Sequence, residues 1–183
     1  MQLKLMILCL LESCNISVRA QTLAAKSNLL YDMLGVPSLG VEVATSKHTS
    51  LSMVATYNPF AYGGRKWKNF SVQPEFRYWF HRDFTGPYLS SNVCLGGFNI
   101  DRIHVGGLFG KHRQGPFEGA GIGAGYSLIL SPRCNLDFSV VLDVLHCRYD
   151  RYREGELPYK EGRFSSMAVV PIGTGVSFVY IIK

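Results

Sequence analysis

Apolar and polar residues alternate along one segment of the chain after another. The clearest segment is FSVQPEFRYWF, which places Val72 and Phe76 on one side of an extended strand and Glu75 and Arg77 on the other. Successive side chains of a strand point to opposite faces, so this pattern predicts a strand with one apolar and one polar face. Helical periodicity is absent after residue 20, and no apolar run there approaches the roughly 18 residues of a transmembrane helix.

Similar segments follow one another between turn signals, and together they predict an all-β fold, an eight-stranded antiparallel up-and-down transmembrane β-barrel. The predicted strands are 23–33, 39–46, 49–58, 70–80, 88–97, 118–130, 135–144 and 167–182. Short and long links alternate between them, the short ones at 46–48, 81–86 and 131–134 and the long, charged ones at 59–69, 99–116 and 148–163. Bacterial outer-membrane barrels alternate periplasmic turns and surface loops in this way.

Two features of these strands disfavour regular strand pairing, and each requires a local structural explanation. The sixth strand places Gly119, Gly121, Gly123 and Gly125 on one face, where we expect them to make room for large side chains inside a narrow barrel. Pro74 has no backbone donor, although a closed sheet pairs every amide, so we expect a bulge there.

Alternation alone leaves open which face meets the surroundings. In a soluble lipocalin-type barrel the apolar face surrounds a ligand, whereas in a membrane barrel it meets lipid and the charges line the interior. Two observations favour the membrane barrel: the early Gly-x-Trp of lipocalins is missing, and aromatic residues cluster near strand ends as in interfacial girdles. These aromatic residues are Tyr31, Tyr57 and Phe70 at the long-loop side and Phe80, Tyr126 and Tyr180 at the other.

The C-terminal segment GTGVSFVYIIK favours the membrane barrel as well. Gly175, Phe178 and Tyr180 have the spacing Gly-x-x-aromatic-x-aromatic, which resembles the signal that the barrel-assembly machinery recognises in outer-membrane substrates. The chain departs from that signal by continuing through Ile181 to Lys183. With the apolar face outward, the predicted interior polar network consists of Lys26, Asp32, Glu42, Glu75, Arg77 and Asp143.

The N-terminal stretch MQLKLMILCLLESCNISVRA predicts a secretory signal peptide, residues 1–20. Lys4 precedes a short apolar run, and Val18 and Ala20 supply small residues before a cut at Gln21. The signal places the mature chain outside the cytoplasm, and with the barrel prediction it indicates the outer membrane of a Gram-negative bacterium.

Composition agrees with strands and tight turns in one barrel domain, residues 21–183. Charged residues make up 17%, below the usual share of about 25%, while aromatics reach 13% and there are 19 glycines. The net charge of +6 is spread over segments that also carry acids, which indicates solvated loops and no nucleic-acid partner.

The cysteines predict neither a disulfide framework nor a metal site, and no cofactor is indicated. Cys134 and Cys147 stand at the two ends of one predicted strand, too far apart to pair, and Cys94 has no metal-type spacing to either. Cys14 could end a lipoprotein signal instead, but Glu12 sits unfavourably before it.

A set of short motifs resembles a known family. The motifs are KSNLLYD (26–32), LGVEV (39–43), YNPF (57–60), WKNF (67–70) and QPEFRYWF (73–80). In this order they are similar to small, functionally uncharacterised outer-membrane proteins of Bacteroides-type bacteria, with QPEFRYW the most specific motif. The resemblance implies an eight-stranded outer-membrane barrel with a domain of unknown function. Some members are encoded near fimbrial genes, and no catalytic residues carry over from the family.

Two kinds of functional site are compatible with such a chain, a polar site in the barrel interior and an enzymatic site near the outer surface. The interior charges could form a proton path, a narrow channel or a polar-ligand site, but eight strands leave room for side chains and little else, which favours a salt-bridged plug. Some barrels of this size are lipid A acyltransferases or deacylases that use His or Ser near the outer surface. Here His104, His112 and His146, with Ser165 nearby, are the candidates, although no spacing marks a nucleophile and its base.

The long loops carry candidate contacts with the cell surface. Basic residues could bind the phosphates of lipopolysaccharide, and these are Arg65, Lys66, Lys68, Lys111 and Arg113. Tyr149, Tyr152 and Tyr159 stand among charges of both signs, a composition favoured at protein interfaces. The sequence therefore favours a non-enzymatic outer-membrane barrel with a structural or surface-interaction role, its partners being lipid, the assembly machinery and a fimbrial or other surface protein.

Overall fold

A computed structural model gives the structure, and it describes residues 22–62, 65–101, 112–153 and 159–182, without the side chains of residues 62, 65 and 153. Nearly all of this part is β-structure. The strands are β1 (Leu23–Asn28), β2 (Ser38–Ala44), β3 (Thr49–Tyr62), β4 (Arg65–Trp79), β5 (Gly86–Asp101), β6 (His112–Ser131), β7 (Cys134–Arg153), β8 (Tyr159–Val170) and β9 (Gly175–Ile181), and a short helix, α1 (Leu29–Met33), follows β1. Among the described residues, no helix combines the length and apolar character needed to span a membrane.

The strands close into an eight-stranded antiparallel up-and-down barrel, which confirms the predicted fold. β1 to β7 pair in chain order, and β9 closes the ring by pairing with both β1 and β7. β8 pairs with the other half of β7, from Asp143 to Arg153. β8 and β9 thus lie one above the other in the wall, separated by a turn at residues 171–174.

The connections separate the barrel into two ends. At the short-turn end lie the links 45–48, 80–85 and 132–133, and at the long-hairpin end β3–β4, β5–β6 and β7–β8 meet. β6 and β7 are each 20 residues long, and β3 pairs with β4 as far as Tyr62↔Arg65. Much of what the sequence predicted as loops is therefore β-ribbon.

The first predicted strand, 23–33, is wrong in its second half, where the chain forms α1. The Asn28 Oδ1 atom accepts hydrogen bonds from the backbone amides of Leu30 (3.1 Å) and Tyr31 (3.4 Å). This is N-cap geometry, which ends β1 and starts a helical turn. β1 is consequently short, and the link to β2, residues 29–37, contains α1 in place of the second half of the predicted strand. Toward the long-hairpin end, past β1 and β2, β8 and the last part of β3 each have one edge without a strand partner among the described residues.

The predicted bulge at Pro74 is also wrong. Pro74 pairs with Met53 in the unbroken register of β3 and β4. On its other side, the β4–β5 ladder pairs Val72 with Leu95 and Glu75 with Asn92 in one register, and it skips the two residues between. The missing donor is accommodated by an interruption of the ladder, with no inserted residue.

Polar side chains lie inside the barrel and apolar side chains lie outside. Glu42 and Asp143 are 0% exposed and Arg77 is 4% exposed, whereas Ile122 is 74% and Val140 is 62% exposed. The apolar belt, as we call the outward-facing apolar side chains around the wall, includes Leu39, Val41, Leu51, Met53, Phe76, Leu89, Val93, Leu95, Ile122, Val140, Leu142, Val144, Met167 and Val169. This arrangement is the opposite of a lipocalin-type barrel.

Glycines on the inner face of β6 give space to large neighbours, as the sequence predicted. Gly125 pairs with Tyr88, and a Cβ atom at Gly125 would overlap the Tyr88 ring. A Cβ atom at Gly121 would likewise overlap the Asp143 carboxylate. Side chains from β5 and β7 thus fill the volume that β6 leaves empty.

An apolar cluster closes the interior at the short-turn end. The buried members are Ala24, Ala44, Trp79, Phe84, Tyr88 and Val179. Phe84 belongs to the turn after β4 and has a positive φ of 57°. Its carbonyl accepts hydrogen bonds from Asn135 Nδ2 (2.6 Å) and Ser127 Oγ (3.1 Å), so this turn folds back under the barrel.

Candidate functional site

An ion network crosses the barrel interior directly above this apolar cluster. Arg77 Nη1 lies 2.7 Å from Asp137 Oδ2 and 3.3 Å from Glu42 Oε2, and Arg77 Nε lies 3.0 Å from Glu75 Oε2. The alternation of β4 directs both Glu75 and Arg77 inward, while β2 and β7 supply the other two carboxylates. Arg77 therefore joins strands on opposite sides of the barrel.

Lys26 of β1 completes the network. Its Nζ atom lies 3.3 Å from Glu75 Oε2 and 3.5 Å from Glu42 Oε2, and it donates to Ser52 Oγ at 2.7 Å. Ser50 donates to Glu42 Oε1 at 2.6 Å. The network thus sets two cations against three carboxylates, with hydroxyl donors supporting the acids.

The Arg77 guanidinium also contacts the aromatic rings beneath it. Its Cζ atom lies 4.4 Å from the Tyr88 ring centroid and 6.0 Å from that of Trp79. Trp79 Nε1 donates to Ser50 Oγ at 2.9 Å, which links the aromatic cluster to the network a second time. The polar and apolar parts of the interior form one packed unit.

The structure revises the predicted membership of this network. Lys26, Glu42, Glu75 and Arg77 come together as described, but Asp32 does not belong to them. It is exposed on α1, where its carboxylate accepts hydrogen bonds from the Ser27 hydroxyl and the Ser38 amide, because the helical turn carries it away from the interior.

The two aspartates of β7 have different roles inside the barrel. Asp143 is fully buried but separate from the ion pairs, and it accepts from Asn92 Nδ2 at 2.6 Å. Asp137 replaces it as the third acid of the network. Strand alternation places both residues on the polar face, and only the register of β7 against the other strands decides which one reaches Arg77.

Little open space remains beside the network. The cavity there measures about 40 Å³ and is lined by polar groups of Lys26, Gln73, Glu75, Arg77 and Asn92, among others. Toward the long-hairpin end the interior widens into a second cavity of about 670 Å³. Its lining includes Tyr31, Leu34, Val36, Phe60, Trp67, Phe117 and Ile172. Tyr31, predicted as an interfacial aromatic, faces this cavity.

A separate polar group lies on the outer face of the wall. His146 Nε2 is 2.7 Å from Ser165 Oγ, and His146 Nδ1 is 3.5 Å from Glu118 Oε1. Arg148 Nη2 donates to the same Glu118 oxygen at 2.8 Å. His146 and Ser165 were candidates from the sequence, but Glu118 was not, because only the β6–β7 register places it opposite His146.

The other two candidate histidines, His112 and His104, do not form a comparable group among the described residues. His112 stacks on Tyr152, with 4.9 Å between ring centroids, and its Nε2 atom lies 3.0 Å from Asn99 Oδ1. It has no serine partner among these contacts. His104 lies outside the described residues.

The predicted basic surface is divided between two faces. Lys66 and Lys68 are exposed on β4, whereas the Arg113 guanidinium lies over the Tyr149 ring, 5.3 Å from its centroid. Lys111 and the side chain of Arg65 lie outside what the structure describes.

The three tyrosines predicted to form an interface on the β7–β8 hairpin differ in their exposure. Tyr149 is buried against Phe164 and Tyr152 stacks on His112, while Tyr159 is 74% exposed. Near it, Lys160 Nζ lies 2.7 Å from Asp150 Oδ2, and this hydrogen bond is the main reason that the pKa of the Asp150 carboxyl is lowered.

The predicted assembly signal lies on β9, at the seam that closes the barrel. Phe178 and Tyr180 are 38% and 42% exposed and pair with Ser27 and Ala25 of β1. Gly175 is buried where a Cβ atom would overlap the Asn28 side chain. The two aromatic rings face outward in line with the apolar belt.

Cysteines and acids offer no further site within the described ranges. Cys94, Cys134 and Cys147 are free thiols; Cys134 begins β7, and Cys147 lies well inside the same strand, which continues to Arg153. No group of three or more His, Cys, Asp or Glu residues in those ranges is arranged to hold a metal ion.

These observations define a class of protein: a small closed antiparallel barrel with a charged, packed interior and an apolar exterior. Residues 5–182 match the family described as "Protein of unknown function (DUF3575)", and the chain belongs to this family. The resemblance to a family without an assigned function is thereby confirmed. No curated protein and no solved structure matches the chain.

Proposed function

We propose that this protein resides in the outer membrane of a Gram-negative bacterium and acts there as a structural or surface-interaction module. The observation that carries the proposal is a distribution of side chains opposite to that of a water-soluble protein. Charged residues fill the interior, and large apolar side chains are exposed around the wall. In water this exterior would be an unusually large apolar surface. In lipid it is the expected one, because the outward-facing side chains of membrane barrels form an apolar band.

The interior supports a plug in preference to a channel. Arg77 and Lys26 are held between carboxylates from three different strands, and the apolar cluster fills the short-turn end beneath them. Lys26 Nζ lies 3.5 Å from Glu42 Oε2 and 3.3 Å from Glu75 Oε2, which holds this side chain within the packed network. The plug therefore has a structural role and carries no ion flow.

The long-hairpin end supports the surface role. Its ribbons extend past the apolar belt and expose charged and aromatic groups, among them Lys66, Lys68, Tyr159 and Lys160. Such a surface suits contact with lipopolysaccharide or with a fimbrial or other surface protein. The signal peptide 1–20 and the aromatic pair on β9 complete the proposal, as the export signal and as the contact for the assembly machinery.

Fractionation tests the location. The full chain should be found in the outer-membrane fraction with its N-terminus at or near Gln21. It should migrate differently on gels before and after boiling, since closed barrels resist cold detergent. Recovery with the soluble periplasmic proteins would contradict the proposal, and so would retention of residues 1–20. Planar-bilayer recordings of the refolded protein should show no ion conductance.

Surface contact is tested by charge reversal. Lys66→Glu with Lys68→Glu should reduce the stabilisation of the folded protein by added lipopolysaccharide, because both exposed cations are lost from the long-hairpin end. Lys47→Glu, at the short-turn end, is the matched control and should leave that stabilisation unchanged. An equal loss of stabilisation in the two variants would contradict a lipopolysaccharide contact confined to the long-hairpin end. Co-purification from native outer membranes then identifies a protein partner.

A further inference from the structure

The outer-face group at Glu118, His146 and Ser165 has the connectivity of a hydrolytic triad. Ser165 Oγ and His146 Nε2 are at hydrogen-bond distance, 2.7 Å, and the other ring nitrogen faces a carboxylate oxygen at 3.5 Å. Nucleophile, base and orienting acid in this order are what acyl transfer requires, and such contacts are often long before substrate binds. We propose that these three residues hydrolyse acyl esters of a membrane lipid.

Strand parity places all three side chains on the wall's exterior. His146 shares the outward face of β7 with Val140, Leu142 and Val144, while Asp143 and Leu145 between them are buried. Glu118 lies directly opposite His146 on β6. The group is therefore reached from outside the barrel, independently of the plugged interior.

The position along the wall indicates the substrate. Just toward the short-turn end, Val144 and Met167 are exposed apolar side chains of the belt, and just toward the long-hairpin end lie Arg148 and Arg163, both more than half exposed. An acyl ester of a membrane lipid has this same layout, with a hydrocarbon chain on one side of the carbonyl and a polar or anionic headgroup on the other. This substrate class rests on the proposed membrane location; the activation of Ser165 does not.

The free edge of β8 supplies candidate donors for the oxyanion. β8 pairs only with β7 among the described residues, so every second backbone N–H along its other edge has no strand partner there. Backbone N–H groups of this kind stabilise the negative charge that develops on an attacked carbonyl oxygen. A strand paired on both sides could not offer them.

The reaction proceeds in two balanced steps. Ser165 Oγ attacks the ester carbonyl carbon while its proton passes to His146 Nε2; the C–O bond to the alcohol then breaks, and His146 returns the proton to the leaving alkoxide. A water molecule next attacks the acyl-serine and gives its proton to His146. The bond to Oγ breaks, the proton returns to Ser165, and the carboxylic acid leaves. Glu118 is a positioning residue, because it acts through the imidazole.

Covalent labelling of the refolded full chain tests the activated serine without reference to a natural substrate. A fluorophosphonate probe should modify Ser165, identified by mass spectrometry, and S165A and H146A should each lose the label. Ser166→Ala is the matched control: it pairs with Cys147, on the opposite face, and should be labelled as the wild type is. All variants must keep the heat-dependent gel shift of a folded barrel. Absence of label from folded wild type, or its persistence in H146A, would overturn the proposal.

Turnover is then measured in detergent micelles with p-nitrophenyl esters of short and long acyl chains. S165A should lower kcat by about 100-fold or more, because the nucleophile and the proton transfer from it to His146 are both lost. Glu118→Gln should lower kcat with little change in KM, whereas a merely structural role would appear as loss of the folded gel band. An unchanged kcat in S165A would overturn the assignment.

Release of fatty acid from phospholipid vesicles and from vesicles containing lipopolysaccharide identifies which lipid carries the ester. A labelled Ser165 with micellar esterase activity but no release from either vesicle would overturn the lipid substrate while keeping the triad. Mislocalisation in fractionation would instead count against the membrane location and the lipid substrate that rests on it, and it would leave the activation of Ser165 as it stands.

Discussion

Arg77 of β4 and Asp137 of β7 meet at 2.7 Å across the barrel, although 60 residues separate them in the chain. Both side chains are buried, at 4% and 1% exposure. Neither would be stable there alone, since an uncompensated charge in such a site is strongly destabilising. The pair therefore ties opposite walls of the barrel together and fixes their relative register.

Removal of this cation is the first stability test. Arg77→Ala leaves Glu42, Glu75 and Asp137 facing one another, with Lys26 as their nearest compensation, and should lower the free energy of unfolding by about 3–5 kcal/mol. The temperature at which the folded gel band disappears measures this. Arg82→Ala, on the exposed turn after β4, is the matched control and should have little effect. Equal melting of the two variants would mean that the interior charges are hydrated and independent.

Charge on the outer face tests the lipid contact. Ile122→Arg places a cation in the middle of the apolar belt and should cost about 2–4 kcal/mol when folding is measured in lipid vesicles. Gln114→Arg makes the same change on the same face of β6, beyond the belt, and should cost about 0–1 kcal/mol. Similar costs for both variants would show that this exterior does not meet hydrocarbon.

Close packing between β5 and β6 predicts a specific overpacking defect. Gly125→Ala brings a methyl group onto the Tyr88 ring and should destabilise the barrel by about 1–3 kcal/mol. Ala124→Val, outward on the same strand, should be nearly neutral. Shortening the neighbour in a Gly125→Ala/Tyr88→Leu double variant should cost less than the sum of the two single changes. Strict additivity would indicate that the two positions do not share a cavity.

Sidedness is tested by labelling. With the native cysteines replaced, cysteine at Lys68 or Lys160 should react with a membrane-impermeant reagent on intact cells, because both positions lie at the long-hairpin end. Cysteine at Lys47 or Pro132, at the short-turn end, should react only after the cells are opened. The reverse pattern would mean that the barrel is inserted the other way round.

Alternation predicted the barrel because the residue period alone decides which side chains share a face. The opposition of Glu75 and Arg77 to Val72 and Phe76 could be read directly from the chain. Boundaries were harder to predict, since beyond the apolar belt both faces of a strand meet polar surroundings. The alternation then disappears, although the β-ribbon continues.

Register was not accessible from one sequence, and it decides the sites. The alternation of β7 turns Asp137 and Asp143 inward alike, but only cross-strand alignment gives one to Arg77 and the other to Asn92. The same holds for the group on the outer face of the wall. His146 and Ser165 could be proposed from residue type, whereas Glu118 lies beside them only because of the register between β6 and β7. Asp32 was misplaced because the Asn28 cap replaces a strand by a helical turn.

The composition of the ion network has a consequence for the order of folding. Its members come from β1, β2, β4 and β7, so the contact between Arg77 and Asp137 cannot form inside any single hairpin. In an open, partly assembled sheet Arg77 would be held apart from Asp137, which lies three strands away. The pairing between β9 and β1 brings the first and last strands of the ring together. Assembly of the barrel should therefore be cooperative, with open intermediates scarcely populated and closure as the slow step.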